Sequence, residues 1–116
     1  MIKRENRLKK NKHFNYIYKH GTNVKLGSLC LVYTKTKFKP FKVGFSVNNK
    51  IGKAVVRNKV KRRLRESFNQ ISTLIDRRFN YIFVAREGID EKSFIDIKTN
   101  MLNLIIKAGL LNENNN

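Results

Sequence analysis

The residues best suited to chemistry in this chain are polar donors concentrated in one segment. They lie on a helical pattern, include no carboxylate, and comprise Arg57, Asn58, Lys61, Arg62 and Arg65. A guanidinium binds phosphate through two hydrogen bonds, and an amide can add a bond to a 2′-hydroxyl, a phosphate or a base edge. This pattern predicts recognition of a polyanion and no bond cleavage by the protein itself.

The angular layout of this segment supports that interpretation. Successive residues of an α-helix are about 100° apart around its axis. On this basis the core-facing residues span an arc of roughly 120°, and the donors occupy roughly the next 140° of arc. The core-facing residues are Val56, Val60, Leu64, Phe68 and Ile71. Arg57, Lys61 and Arg65 are like charges four residues apart, an arrangement that costs stability. A solvated helix usually alternates charge signs, so this pattern favours an anion lying along the helix; about five neutralised phosphates would give a salt slope of roughly −3.5 to −4.5.

Charge is divided unevenly along the chain. The 116 residues contain 26 Lys and Arg against 8 Asp and Glu, a formal net charge of +18. Residues 1–65 hold 20 of these cations and one acid, Glu5, whereas residues 66–116 are nearly neutral. A codon bias toward Lys and Asn would raise the positive charge of both halves of the chain, not of one alone. The imbalance therefore predicts a polyanionic partner, with nucleic acid as the first candidate and an anionic membrane surface as the second. A charged amino terminus, the absence of a membrane-length apolar run and a single cysteine favour a cytoplasmic protein. Of the two candidate partners, we therefore predict nucleic acid and no membrane.

Side chains suited to catalysis are few. His13 and His20 lie beside cations and are interpreted as surface residues, and Cys30, the only cysteine, as a small core residue. The sequence has no Ser-His-Asp set, Cys-based zinc site or Gly-rich phosphate loop. We therefore predict no catalytic residue and no metal ligand.

The rest of the chain predicts the elements that must position the basic helix. In order, they are a helix at 11–20, strands at 28–36 and 41–47, a short strand or turn near 47–51, the basic helix at 54–74, a strand at 79–86 and a helix between Ser93 and Gly109. Asn11 is expected to cap the first helix and Gly21 to end it in a left-handed conformation, while residues 37–40 would form a hairpin connection. We predict one α+β domain over residues 1–111, a sheet covered by helices, and a disordered polar tail at 112–116.

The basic helix also carries a specific motif. The run from Gly52 to Glu66 closely resembles the Arg-Asn-x-x-Lys-Arg-x-x-Arg signature of the protein subunit of bacterial ribonuclease P. Further motifs occur in that family's order and spacing: Arg7-Leu8-Lys9-Lys10, Lys19-His20-Gly21, Val43-Gly44-Phe45-Ser46-Val47 and Phe83-Val84-Ala85-Arg86. The resemblance extends to about Leu111.

The resemblance implies a fold and a function. The fold would be an α/β sandwich with a mixed four-stranded sheet and three helices, in the order α-β-β-β-α-β-α. It would contain a left-handed β-α-β crossover, where general rules favour the right-handed form. The protein would be the non-catalytic subunit of an endoribonuclease that removes the 5′ leader from precursor tRNA, raising substrate and metal affinity. Its partners would be the catalytic RNA and precursor tRNA, with Mg²⁺ held mainly by the RNA and no small-molecule substrate.

The resemblance also assigns residues to two surfaces. Facing the catalytic RNA would be Arg57, Asn58, Lys61, Arg62 and Arg65, assisted by Lys53, Lys59 and Lys50. A leader cleft between the first helix and the sheet would be formed by Phe14, Tyr18 and Tyr33. Arg7 and Lys42 would also bind the leader. Aromatic faces stack on unpaired bases, although core packing explains Phe14 equally well. The chain departs from the family at Asn48-Asn49-Lys50, where Ser-Lys-Lys is common, and at Lys42, where Arg is common and offers a bidentate fork.

Two other classes of function stay open on the sequence. A structural RNA-binding protein, such as a ribosomal component, would also have a basic half and a near-neutral half. A protein-only nuclease would need clustered carboxylates, but the candidates are scattered near predicted helix ends and loops: Asp76, Glu87, Asp90, Glu91 and Asp96.

Overall fold

The structure, a computed structural model, describes residues 2–37 and 39–112. Its helices are α1 (Asn11–His20), α2 (Ala54–Ile71) and α3 (Phe94–Lys107), and its strands are β1 (Thr22–Leu26), β2 (Leu29–Lys35), β3 (Val43–Ser46) and β4 (Phe79–Ala85). Short 3-10 turns occur at Arg4–Asn6, Asn49–Ile51 and Ile89–Glu91. The predicted α+β class, with three helices and a mixed four-stranded sheet, is confirmed. No helix in the described part of the chain is long and apolar enough to cross a membrane.

The sheet has the strand order β1-β2-β4-β3. The β1–β2 and β2–β4 pairs are antiparallel, and β3 runs parallel to β4. The predicted hairpin at residues 37–40 is wrong, because β4 lies between the two strands that it would join. The α2 helix connects the parallel strands β3 and β4, which is the β-α-β unit implied by the resemblance. The left-handed sense of this unit stays a prediction.

The β1 strand has no counterpart among the predicted strands. Its residues are mostly exposed and include Thr22, Asn23 and Lys25, so its hydrophobic signal is weak. The strand exists because it pairs with β2 across a tight turn, in which Gly27 has a φ of 58°. Conversely, the segment near 47–51 that was a candidate for a third strand contains a 3-10 turn. The element order α-β-β-β-α-β-α is therefore correct, and the predicted strands at 28–36 and 41–47 are β2 and β3. The third strand is β1, which was not predicted, and the segment near 47–51 forms a turn, the other alternative for that segment.

Two hydrophobic cores lie on opposite faces of the sheet, because alternate side chains of β4 point in opposite directions. Tyr81 and Phe83 belong to the larger core, which α2 and α3 cover. Ile82 belongs to a smaller core beneath α1, together with Ile17 of that helix and Val32 of β2. The α1 helix thus packs on the face of the sheet opposite to α2 and α3.

The α2 helix forms because its apolar residues recur at intervals of three and four. The residues that it buries on one face include Val60, Leu64, Phe68 and Ile71. Ile71 is also its last residue, which is earlier than the predicted end near Leu74, and Ile75 is buried just beyond it. Burial of this face fixes the direction in which the polar residues of α2 point.

The ends of α1 differ from the prediction. Lys10 precedes the helix and Asn11 is its first residue, so Asn11 is not the cap. Gly21 has a φ of −83° and is not left-handed. A glycine is needed there for another reason, since a Cβ would lie 2.5 Å from the carbonyl oxygen of Ile17 and 2.8 Å from Val32.

The α3 helix begins and ends as predicted. Ser93 Oγ accepts a hydrogen bond from the Asp96 backbone nitrogen at 3.1 Å, and Gly109 is left-handed with a φ of 72°. Beyond the helix, the Asn112 backbone nitrogen donates to the Leu74 carbonyl oxygen at 2.7 Å. The first residue of the predicted polar tail is therefore bonded to the domain, and residues 113–116 lie outside the described residues.

Candidate RNA interface

The polar face of α2 presents its donors at the protein surface. Asn58, Arg62 and Arg65 are exposed, and Arg57 and Lys61 are half-buried. Among residues 2–37 and 39–112 the structure has a single salt bridge, which lies elsewhere. The four cations of this face are therefore not neutralised by a carboxylate in that part of the chain. We call these five residues the donor face.

Arg57 also stabilises the start of the helix. Its Nη1 atom donates a hydrogen bond to the Gly52 carbonyl oxygen at 2.8 Å. The N-cap residue, Lys53, makes no side-chain capping bond. The arginine therefore ties the turn before α2 to the first turn of the helix. A guanidinium carries five N–H donors, so others remain for a phosphate.

Three further lysines surround the beginning of α2. Lys50, Lys53 and Lys59 are all exposed, as expected for residues that assist the donor face. The backbone nitrogen of Lys50 donates to Asn48 Oδ1 at 2.9 Å. Asn48 thus caps the 3-10 turn that presents Lys50, a local role that needs no positive charge at this position.

Arg63 points away from the donor face. Its Nη1 atom donates to the Lys92 carbonyl oxygen at 2.9 Å, in the turn before α3. The two neighbouring arginines Arg62 and Arg63 therefore have different surroundings. One belongs to the donor face, and the other joins α2 to the turn before α3.

A cleft of about 250 Å³ connects the donor face to an aromatic side chain. Lys61 and Arg65 of α2 line it together with Arg7 and Phe14. Gly44 of β3 also lines it, and a Cβ at this position would lie 2.6 Å from Phe14 Cζ. The glycine permits the aromatic ring to lie directly against the strand. The structure thereby joins residues from both predicted surfaces in one site, which we call the aromatic cleft.

Tyr18 extends the aromatic surface along α1. It follows Phe14 by one helical turn, and the two ring centroids are 6.4 Å apart. Tyr18 is 40% exposed, whereas Phe14 is half-buried and packs against the smaller core. Phe14 therefore combines core packing with a place in the cleft, and the Tyr18 ring is open to a stacking partner.

Two other residues predicted to bind the leader do not line the aromatic cleft. The Tyr33 ring packs edge-on against Phe79 with centroids 5.9 Å apart, on the face covered by α2 and α3. Its neighbour Val32 is the β2 residue that faces α1, so the prediction was wrong by one strand position. Lys42 lines a different groove, and its Nζ donates to the Glu5 carbonyl oxygen.

Six cleft-lining residues were absent from the predicted set: Ile2, Leu8, Lys9, Val43, Gly44 and Phe45. Leu8, Gly44 and Phe45 are three of these that carry no charge. All three belong to sequence motifs that resemble the family, and that was the available signal. Their types carry no charge or hydrogen-bonding side chain, so chemistry alone does not mark them. Leu8 and Gly44 matter because Phe14 packs with Leu8 in the smaller core and lies directly against Gly44.

Side chains that could act in catalysis do not converge on the aromatic cleft. Within the described ranges, no three His, Cys, Asp or Glu side chains are placed to hold a metal ion. Cys30 is buried, and burial raises the pKa of its thiol. Asp76 forms a salt bridge with Arg78 at 2.7 Å, and the hydrogen bond from that guanidinium lowers the pKa of the carboxyl.

Three of the carboxylates considered for a protein-only nuclease are closer together than predicted. Glu87, Glu91 and Asp96 line one shallow depression of about 530 Å³. Asp76 and Asp90 are not among its lining residues. The depression shares no lining residue with the aromatic cleft.

Known proteins resemble this chain over nearly its whole length. Residues 2–109 match the family model described as Ribonuclease P. A ribonuclease P protein component of Clostridium botulinum (strain 657 / Type Ba4) is 36% identical over 110 residues, which cover 94% of this chain and 99% of that protein. One from Thermoanaerobacter sp. (strain X514) is 39% identical over 104 residues, 90% of each protein.

Solved structures agree with these relatives. The RNase P protein of Staphylococcus aureus is similar with a TM-score of 0.84 at 31% identity, over 92% of this chain and 98% of that one. The RNase P protein from Thermotoga maritima is similar with a TM-score of 0.79 at 28% identity, over 87% and 96% of the two chains. The chain therefore belongs to the ribonuclease P protein family.

Proposed function

We propose that this chain is the protein subunit of ribonuclease P and assists a catalytic RNA in removing the 5′ leader from precursor tRNA. Membership of the family implies a part in tRNA 5′ processing. The observation that carries the finer proposal is the aromatic cleft, where Lys61 and Arg65 meet Arg7 and Phe14. A cationic surface that continues into an aromatic one suits a protein that contacts a structured RNA and an unpaired strand together.

The donor face is the proposed contact with the catalytic RNA. Its arginine forks bind phosphates bidentately, and Asn58 adds a neutral hydrogen bond to a 2′-hydroxyl or base edge. Lys50, Lys53 and Lys59 extend the positive surface around the start of α2. Most residues of the donor face are exposed to solvent. The affinity for the catalytic RNA should therefore fall strongly as the salt concentration rises.

The aromatic cleft is the proposed contact with the leader. Phe14 and Tyr18 offer ring faces to unpaired bases, and stacking of this kind tolerates any base because every base has a π-face. Arg7, Lys61 and Arg65 line the cleft together with Phe14 and would hold the phosphates of the same strand. The protein would therefore bind leaders of different sequence.

Mg²⁺ is proposed to be held by the RNA subunit, where it would supply the activated water for hydrolysis. The described residues that line the aromatic cleft are cationic or apolar, and Mg²⁺ prefers oxygen ligands from carboxylates, carbonyls or phosphates. By fixing the leader, the protein would keep the substrate phosphate beside the metal ligands of the RNA. This would raise the affinity for both substrate and metal without a catalytic group from the protein.

The proposed partners are thus a catalytic RNA and precursor tRNA, in the cytoplasm, with no membrane and no small-molecule substrate. Reconstitution tests this directly. The protein alone should leave precursor tRNA intact, and adding the catalytic RNA with Mg²⁺ at physiological salt should release the leader faster than the RNA alone. Cleavage by the RNA-free protein would instead support a protein-only nuclease, and co-sedimentation with ribosomal subunits without any effect of the leader would support a ribosomal role.

A further inference from the structure

A second groove, of about 440 Å³, lies on the other side of α1 from the aromatic cleft. His13, Tyr16 and Ile17 of α1 line it, whereas Phe14 lines the cleft. The end of β2 and the residues that precede β3 complete its walls. We call it the lysine groove, after its cationic lining residues Lys35, Lys37, Lys39 and Lys42.

The charge of the lysine groove is unbalanced. No Asp or Glu is among its lining residues in the described part of the chain. Lys42 is held in place through its Nζ, which donates to the Glu5 carbonyl oxygen, and through its backbone nitrogen, which donates to Asn80 Oδ1 at 2.7 Å. Four ammonium groups around one concavity repel one another, and an anion in the groove would relieve that repulsion.

The floor of the groove is apolar and partly aromatic. Leu8, Ile17 and Pro40 contribute apolar surface, and Tyr16 contributes a ring that is 44% exposed. The Nζ of Lys37 lies 5.7 Å from the centroid of that ring. The His20 ring also lies against Tyr16, with centroids 4.5 Å apart, so a base would stack on the part of the Tyr16 ring that stays exposed. An apolar surface with a partly exposed aromatic ring and a rim of cations fits a nucleotide, whose base needs a stacking partner and whose phosphate needs a positive charge. A membrane surface would instead require a flat or convex apolar patch.

The groove and the aromatic cleft are adjacent. Leu8 lines both of them, and Lys42 of the groove directly precedes Val43 of the cleft. An unpaired strand that leaves Phe14 can therefore pass beside Leu8 and enter the groove without crossing the domain.

We propose that the lysine groove binds the part of the single-stranded leader that lies further from the cleavage site than the nucleotides in the aromatic cleft. This rests on the proposed function, since it requires a leader bound at Phe14 and Tyr18. The groove would add affinity only when the leader is long enough to reach it. Short leaders would fill the cleft alone.

The test uses the reconstituted holoenzyme and precursor tRNAs blocked at the cleavage site. Leaders of about 4 and about 12 nucleotides suit the test, because single-stranded sites of this kind span roughly 4 to 16 nucleotides. For the long leader, Tyr16→Ala should raise the Kd about fivefold or more, the lower limit for loss of one stacked base. The double variant Lys35→Ala/Lys39→Ala should make the salt slope about 1.4 less negative, if each lysine holds one phosphate. For the short leader, neither variant should change the Kd.

A matched control removes the same charge elsewhere. Lys25→Ala/Lys98→Ala also lowers the net charge by two, at β1 and α3, and should leave the long-leader Kd and salt slope as in the unmodified protein. Equal effects of the two double variants would overturn the proposal, because only general attraction would then be at work. Loss of affinity for the catalytic RNA itself, or for both leader lengths alike, would also overturn it.

The outcome also separates this proposal from the proposed function. If the proposed function is wrong, the unmodified holoenzyme will not prefer leader-bearing tRNA and Phe14→Ala will have no effect on that preference. If only the groove is wrongly assigned, Phe14→Ala will weaken leader binding at both lengths. In that case the Tyr16→Ala and Lys35→Ala/Lys39→Ala variants will bind both precursors as the unmodified holoenzyme does.

Discussion

Replacing Arg62 with alanine should weaken binding to the catalytic RNA, whereas the same replacement of Arg63 should not. The two arginines are adjacent on α2, but Arg62 lies on the donor face and Arg63 donates to the Lys92 carbonyl oxygen at 2.9 Å. Both variants lower the net charge by one, so long-range attraction changes equally. The difference between them therefore reports the local phosphate contact.

The expected size follows from the number of cations on the donor face. Four of its five residues are charged and Asn58 is neutral, so about four phosphates should be neutralised, one fewer than the number of donors suggests. The salt slope should then be roughly −2.8 to −3.6. Arg62→Ala should make this slope about 0.7 to 0.9 less negative. It should also raise the Kd about tenfold, since an exposed hydrogen bond to a charged group contributes about 1.5 kcal/mol.

Fluorescence anisotropy of labelled catalytic RNA, titrated at several salt concentrations, measures both quantities. Arg63→Ala should keep the slope of the unmodified protein, and its small loss of stability can be checked by thermal unfolding. If both variants lose affinity equally and with the same slope, the donor face does not make the contact and the assignment from α2 geometry is refuted.

Three other perturbations test the site and its support. Tyr18→Ala should weaken binding of leader-bearing tRNA about fivefold through loss of one stacked base, and an equal loss for leaderless tRNA would contradict this. Gly44→Ala places a Cβ 2.6 Å from Phe14 Cζ, so it should destabilise the fold by about 1 to 3 kcal/mol and weaken leader binding, and an unchanged melting temperature would refute the close contact. The Arg78 hydrogen bond lowers the pKa of Asp76 in the folded state, so the pair should stabilise the protein above the ordinary pKa near 4 and lose that effect as the pH falls below it. Urea unfolding between about pH 2 and 6 should show this loss, and Asp76→Asn should flatten it.

The α2 helix and its donor face were predictable because the same hydrophobic repeat, sustained along the helix, determines both. Apolar residues at threes and fours must face the core, and the polar residues between them must then face solvent. Ser93 and Gly109 were predictable for a similar local reason, since a cap and a left-handed turn need only their own residues. These features depend on interactions within one element.

The positions of Tyr33 and Lys42 were not predictable, because they depend on how elements meet. Residues 29–32 of β2 are all buried, so hydrophobicity does not reveal which alternate residues face α1. Lys42 lines the lysine groove, where its Nζ donates to the Glu5 carbonyl oxygen, and no local pattern encodes a contact between such distant segments. The resemblance predicted an aromatic cleft, but it did not give the strand register, which determines the residues that line the cleft.

The segment before α1 has a further consequence for the behaviour of the free protein. Arg7 pairs with Val43 in a parallel bridge, the Leu8 backbone nitrogen donates to the Val43 carbonyl oxygen at 2.9 Å, and Asn6 Nδ2 donates to the Phe41 carbonyl oxygen at 2.9 Å. β3 is an edge strand, and open strand edges recruit strands from other molecules. By covering the start of that edge with a charged arm, the chain blunts a route to aggregation. Removal of residues 2–8 should therefore make the free protein prone to self-association through its sheet.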